Sequence, residues 1–159
     1  MVLERLPPFT FLQGPAVIWP DSEVLGIIMK VMIVDDNAEM RSLIRTMLDG
    51  VANEFVECAD GQEAVAAYGK ERPDWAVMDV AMKAMDGLTA TRLITSTFPG
   101  SHVLVITHHN NPKLRESARE AGAEGFLLKE DLVNLRSLLS VRGKNSGPGG
   151  GLESTGSAN

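Results

Sequence analysis

Five residue positions in this chain could do chemistry together: the adjacent acids Asp35 and Asp36, then Asp79, Thr107 and Lys129. Carboxylates drawn close repel one another, and each raises the cost of ionising its neighbours. A hard divalent cation relieves that cost, and Mg2+ takes oxygen ligands, commonly one or two carboxylates plus water and phosphate oxygens. A carboxylate can also act as a covalent nucleophile, as in aspartyl-phosphate formation. Phosphoryl transfer asks mainly for positioning and charge neutralisation. A lysine ammonium supplies a point charge for one phosphoryl oxygen, and a threonine hydroxyl donates to another. Taken singly, each residue has an ordinary explanation: a loop acid or helix cap, a β-branched strand residue, a surface charge. Only their conjunction makes a site.

That conjunction depends on the elements that carry them. Val31–Val34 is a continuous apolar run, as a strand buried on both faces requires, and it ends at Asp35-Asp36. Trp75–Asp79 and Val103–Thr107 are further strands ending in Asp79 and Thr107, and Gly125–Leu128 is followed by Lys129. Glu54–Cys58 alternates enough to suit a sheet edge. Between the strands lie amphipathic stretches. Met40, Leu43, Ile44, Met47 and Leu48 recur at spacings of three and four within a helix from Ala38 to Leu48, with Asn37 as its cap. Asp60 opens a helix running to about Gly69, with Ala64, Val65 and Tyr68 on one face. Met85-Asp86-Gly87 leads into a helix through Leu88, Thr91, Leu93 and Ile94. Asn111-Pro112 opens one through Leu114, Ala118 and Ala121. Asp131 is expected to cap the last, containing Leu132, Leu135, Leu138 and Leu139.

Alternating strands and helices predict a five-stranded parallel sheet with helices on both faces, an α/β architecture. Ligands of such sheets bind beyond the carboxyl ends of the strands, near the switch point of the strand order. All five positions fall at those ends, so residues spread over almost the whole folded region converge on one edge.

Composition narrows the remaining possibilities. The 159 residues are 44% hydrophobic and 23% charged, with a formal net charge of −6. An acidic chain argues against general nucleic-acid binding, which wants a basic stripe. The single cysteine, Cys58, has no disulfide partner within the chain, which suits a reducing compartment, and it reads as a small buried hydrophobe. No stretch approaches the length of apolar residues that spans a bilayer, and Phe9 to Trp19 is too interrupted for a signal peptide. A cytoplasmic location is expected. Residues 1–28, with Pro7, Pro8, Pro15 and Pro20, are expected to be an extension outside the core, since Met29 itself begins the run into the first strand. Residues 29–140 form the expected domain. Residues 141–159, Gly/Ser-rich, are expected to be a disordered tail.

The motifs carry a resemblance. Val31-Met32-Ile33-Val34-Asp35-Asp36-Asn37 resembles the opening of response-regulator receiver domains, similar to the chemotaxis regulators among them. Met78-Asp79-Val80-Ala81-Met82-Lys83-Ala84-Met85-Asp86-Gly87 resembles their phosphoacceptor segment, and Gly122-Ala123-Glu124-Gly125-Phe126-Leu127-Leu128-Lys129 their fifth-strand signature. The resemblance implies a flavodoxin-like (βα)5 fold with strand order 2-1-3-4-5. It implies that Asp79 receives a phosphoryl group from a sensor histidine kinase or phosphotransfer protein. Asp36, Asp79 and the Ala81 backbone carbonyl would ligate Mg2+, and Asp35 would bind the metal through water. Thr107 and Lys129 would contact the phosphoryl group, and Phe126 would be the aromatic switch linked to the Thr107 hydroxyl. The output would be a contact with a downstream protein target, with no direct role for nucleic acid or membrane and no DNA-binding output domain. The protein would not be an enzyme beyond its own phosphorylation and dephosphorylation.

Three departures from the family pattern involve four positions. Lys83 replaces the usual proline, so the loop after Asp79 should be less rigid. His108 replaces a small residue and is expected to narrow access to Asp79. Ala81 and His109 occupy the variable positions that influence how long the phosphate lasts. His102, His108 and His109 do not form a convincing transition-metal set, because adjacent residues of an extended chain face opposite ways. Two other readings stay open. One is an Asp-nucleophile phosphatase, which would place nucleophile and acid two apart after the first strand. The other is a degenerate receiver that binds partners without being phosphorylated.

Overall fold

The computed structural model describes residues 29–143. The expectations for residues 1–28 and 144–159 lie outside those described residues. Five strands alternate with helices: β1 (Lys30–Val34), α1 (Ala38–Met47), β2 (Glu54–Cys58), α2 (Gly61–Glu71), β3 (Trp75–Asp79), α3 (Gly87–Thr97), β4 (Val103–Thr107), α4 (Pro112–Glu120), β5 (Gly125–Leu128) and α5 (Leu135–Gly143). All strand pairs are parallel, in the order β2-β1-β3-β4-β5. The α/β sheet order implied by the resemblance is the order observed.

Strand alternation divides the core. Val31, Ile33, Trp75, Val77, Leu104 and Ile106 face one side and pack with Ile44 and Leu48 of α1 and Leu135 and Leu139 of α5. Met32, Val34, Ala76, Met78, Val103 and Val105 face the other, against Ala64 and Tyr68 of α2, Ala90 and Ile94 of α3, and Ala118 of α4. β1, β3 and β4 are therefore apolar on both faces, which is why their sequences run unbroken. β2, at the edge, is half exposed.

The caps expected at Asn37 and Asp60 form, and Asn111 and Asp86 cap the helices they open as well. Asn37 Oδ1 accepts the N–H groups of Glu39 (2.8 Å) and Met40 (3.2 Å). Asp60 accepts from Glu63 N and Asn111 from Lys113 N, each at 2.9 Å. Asp86 accepts from Leu88 N and Thr89 N. The start of the last helix differs. Lys129–Asn134 is a tight 3-10 segment with a kink at Asp131 (φ −103°, ψ 19°), and the α-helix begins only at Leu135. Asp131 is thus an interior kink residue and not a cap. The tighter winding turns the chain directly after Lys129 and still brings Leu132 and Leu135 into the core. Helix α5 runs to Gly143, past the expected boundary at residue 140. On α1, Leu43 is 43% exposed, so its buried stripe is narrower than the apolar pattern suggests.

Candidate acidic functional site at the strand carboxyl ends

The sheet order reverses between β1 and β3, and the acids lie at that point. Asp35 follows β1 and Asp79 ends β3; both are buried, whereas Asp36 is exposed. One carboxylate oxygen from each of Asp35, Asp36 and Asp79 lies within 4.8 Å of the others. Lys129 reaches in from the end of β5. Its Nζ lies 2.7 Å from Asp35 Oδ2 and 3.1 Å from Asp79 Oδ1, and its side chain is 6% exposed.

The neighbours fix Asp35 from several sides. Its Oδ1 accepts the Asn37 N–H at 2.8 Å, and its backbone N–H donates to the Cys58 carbonyl at 3.1 Å. Arg41 of α1 donates to the Asp35 backbone carbonyl at 2.7 Å and also holds Glu57 of β2 at 3.2 Å. Cys58 itself is buried, and loss of water pushes its thiol up to about 12, assisted by the charges of Glu63 and Asp60.

Asp79 is held by the loop that follows it. Val80 N–H donates to Ile106 O of β4, and Val80 O accepts from Met82 N and Gly87 N. Gly87 crosses immediately beneath: a Cβ on it would sit 1.8 Å from the Asp79 carbonyl oxygen, so no side chain fits there. Burial raises the Asp79 pKa above 3.8 and Asp35 adds to the rise, while Lys129 and the Ala81 backbone N–H oppose it. For Lys129 burial works downward, but the hydrogen bond to Asp35 and the charges of Asp79 and Asp35 outweigh it and raise the pKa above 10.5. Two buried acids against one ammonium leave the pocket short of positive charge, and the exposed Asp36 sharpens the deficit. This oxygen-rich donor set suits a hard divalent cation.

Thr107 is buried at the end of β4, one residue beyond Ile106, the register partner of Asp79. Its Oγ1 accepts the His109 N–H at 3.1 Å. Phe126 pairs with Val105 and is half-buried on the same side of the sheet as α4. Ala81 and Lys83 are exposed in the loop after Asp79. His108 and His109 are exposed as well. The His108 side chain is 61% exposed, with Nδ1 3.8 Å from Glu130 Oε1.

The structure therefore brings Asp35, Asp36, Asp79 and Lys129 together, with Thr107 on the neighbouring strand. Two supporting residues escaped the sequence reading. Arg41 carried no signal beyond helical spacing. Gly87 was visible as a glycine at a helix start, but its closeness to the Asp79 carbonyl depends on the folded loop.

The response regulator receiver domain family matches residues 31–140. The chain is 34% identical over 100 residues to the chemotaxis protein CheY of Halobacterium salinarum, covering 63% of this chain and 83% of that one. It is 32% identical over 127 residues to the response regulator MprA of Mycobacterium sp. strain KMS, covering 76% of this chain but only 54% of MprA, so it spans about half the length of that relative. Among solved structures, the receiver domain of the putative response regulator NarL from Mycobacterium tuberculosis superposes with a TM-score of 0.69 at 28% identity, covering 74% of this chain and 97% of that one. A chain of the CheX–CheY–BeF3–Mg2+ complex from Borrelia burgdorferi gives 0.67 at 26%, covering 75% and 96%. Sheet order, clustered acids and sequence kinship agree: this chain belongs to the response regulator receiver domain family of two-component signalling.

Proposed function

We propose that Asp79 accepts a phosphoryl group from a phosphohistidine on a sensor kinase or phosphotransfer protein. The observation that carries this reading is the Lys129 ammonium, shared between Asp35 and Asp79 beside the exposed Asp36. In the transfer an Asp79 carboxylate oxygen bonds to phosphorus as the phosphorus–nitrogen bond to the histidine breaks. Lys129 sits where it can neutralise a phosphoryl oxygen, and the Thr107 hydroxyl is one strand away to donate to another. Asp36, Asp79 and the Ala81 carbonyl would hold Mg2+ directly and Asp35 through water. When bound, the ion supplies charge neutralisation for the phosphoryl oxygens. Related chains are described with BeF3− and Mg2+, as in the Borrelia complex, and BeF3− is named a phosphomimetic in the RcsB receiver structure from Salmonella enterica.

The resulting charge biases a two-state arrangement of Thr107 and Phe126, which alters the surface offered to a downstream protein. A net charge of −6 favours a protein target over direct nucleic-acid contact. Among the described residues no helix is long and apolar enough to cross a membrane. A cytoplasmic place of action suits a kinase partner and a lone cysteine. On this reading the chain is a signalling protein whose only chemistry is on itself.

The test is Mg2+-dependent labelling by a small phosphodonor such as acetyl phosphate, comparing the wild type with Asp79→Asn. Labelling of the wild type alone is expected. Equal labelling of both would refute the assignment, and labelling mapped to Asp35 or Asp36 would favour the phosphatase-like alternative.

A further inference from the structure

Helix α4 is held to the sheet by little. Ala118 is its one buried residue, and Lys113, Arg115, Glu116, Arg119 and Glu120 are all exposed. Its two arginines differ in what they do. Arg119 is engaged by Glu116 of its own helix through two hydrogen bonds. Arg115 forms no ion pair among the described residues. Its guanidinium carbon instead lies 4.9 Å from the centroid of the Phe126 ring on β5. A guanidinium this close to a ring is attracted by the ring's quadrupole.

The position of that ring matters. Phe126 pairs with Val105, and Thr107 lies two residues along β4, so Val105 and Thr107 share a face. The Thr107 hydroxyl oxygen is turned to the His109 N–H. The ring is half-buried, with Arg115 at the solvent side. A ring turning inward toward Thr107 moves away from a cation that sits on the surface of α4.

We infer that Arg115 is a positioning residue for the switch: its cation holds Phe126 outward against α4. Inward rotation of the ring breaks the stack and loosens α4 from β5 in the same event. This deepens the proposed function and rests on Asp79 as acceptor and Phe126 as switch. Arg115 then sets how far the equilibrium lies from the inward arrangement before any phosphoryl group arrives.

Three variants of the full chain separate charge, length and ring. Arg115→Met keeps most of the side chain and loses the cation. Arg115→Lys keeps a cation. Phe126→Leu removes the ring. Beryllofluoride with Mg2+ is the probe, its affinity measured by calorimetry. Removing a partly exposed cation–ring contact should tighten binding by about two- to fivefold in Arg115→Met. Arg115→Lys should stay near wild type, and Arg115→Met should bring no gain in a Phe126→Leu background. Amide exchange in α4 of the unliganded protein should quicken in Arg115→Met while the β1 and β3 amides keep their protection. An unchanged affinity in Arg115→Met, or the same gain without the ring, overturns the inference. If the wild type itself fails to bind beryllofluoride, the reading of Asp79 as acceptor falls, and this inference with it.

Discussion

The Lys129 ammonium lies 3.1 Å from Asp79 Oδ1, and both side chains are almost wholly buried. The ammonium offsets two buried carboxylates at once, so its removal strands both, whereas removal of Asp79 leaves it paired with Asp35 at 2.7 Å. Replacing Lys129 by Met leaves Asp35 and Asp79 facing each other in the interior. Breaking a buried ion pair from one side costs about 3–5 kcal/mol, and a loss of that order is expected in urea unfolding at neutral pH. The raised Lys129 pKa means its contribution is fully present below 10.5 and is lost only as pH rises through the higher folded value. The deficit of the variant should shrink as pH falls into the carboxylate range and the stranded acids take up protons.

Asp79 carries the opposite sign. Burial raises its pKa above 3.8, so folding favours the protonated acid. Its contribution to stability is greatest below 3.8 and declines as pH climbs through the raised value. Asp79→Asn removes that decline. It should melt higher than the wild type near pH 7, by about 4–8 °C for each kcal/mol in a small domain, and lose the advantage in acid. An Asn variant that melts lower at both pH values would count against the electrostatic account.

Mg2+ should add stability through the same acids. A ligand at 100 times its dissociation constant stabilises by about 2.7 kcal/mol. Thermal melts with and without Mg2+ should show an upward shift in the wild type. Asp36→Asn should reduce it, and a chelator should abolish it. A shift that survives Asp36→Asn and Asp79→Asn together would place the ion elsewhere.

Gly87→Ala tests the loop beneath Asp79. The added Cβ would meet the Asp79 carbonyl oxygen at 1.8 Å, with the backbone of β3 unable to yield cheaply. Overpacking of this kind costs about 1–3 kcal/mol and sometimes more. The variant should be destabilised and slow in phosphodonor labelling. Wild-type stability would show that the loop can move without penalty.

From the sequence, His108 is expected to narrow access to Asp79. Its ring is mostly in solvent and leans toward Glu130 at 3.8 Å. Exposed pairs at such a distance contribute little, so His108→Ala should change the labelling rate by less than about twofold. A larger acceleration would place the ring over Asp79 in the reacting protein.

Much of this molecule was readable because its strands end in chemistry. β1, β3 and β4 are continuous apolar runs that stop at Asp35, Asp79 and Thr107, and their burial follows from that pattern, though β1 starts one residue before its run, at Lys30. Helix caps at Asn37 and Asp60 were equally local, each set by a side chain reaching two or three residues ahead. What was not readable depends on the third dimension. Two adjacent aspartates look alike in a sequence, yet Asp35 is buried on Lys129 while Asp36 faces water. Arg41 reaches the Asp35 backbone only because α1 packs back over β1 and β2. Asp131 had the composition of a cap, but the chain needed a tighter turn after Lys129. Arg115 and Phe126 meet across two elements whose contact no spacing announces.

Cys58 offers a use that its chemistry alone would not suggest. In the native fold its thiol is covered and stays protonated at neutral pH. Its carbonyl accepts the Asp35 N–H, so the cysteine and the acidic pocket share one strip of backbone. A thiol-specific dye can then react only with molecules in which β2 has come open. The reaction rate becomes a clock for excursions of the sheet edge, read from one natural atom without any introduced label.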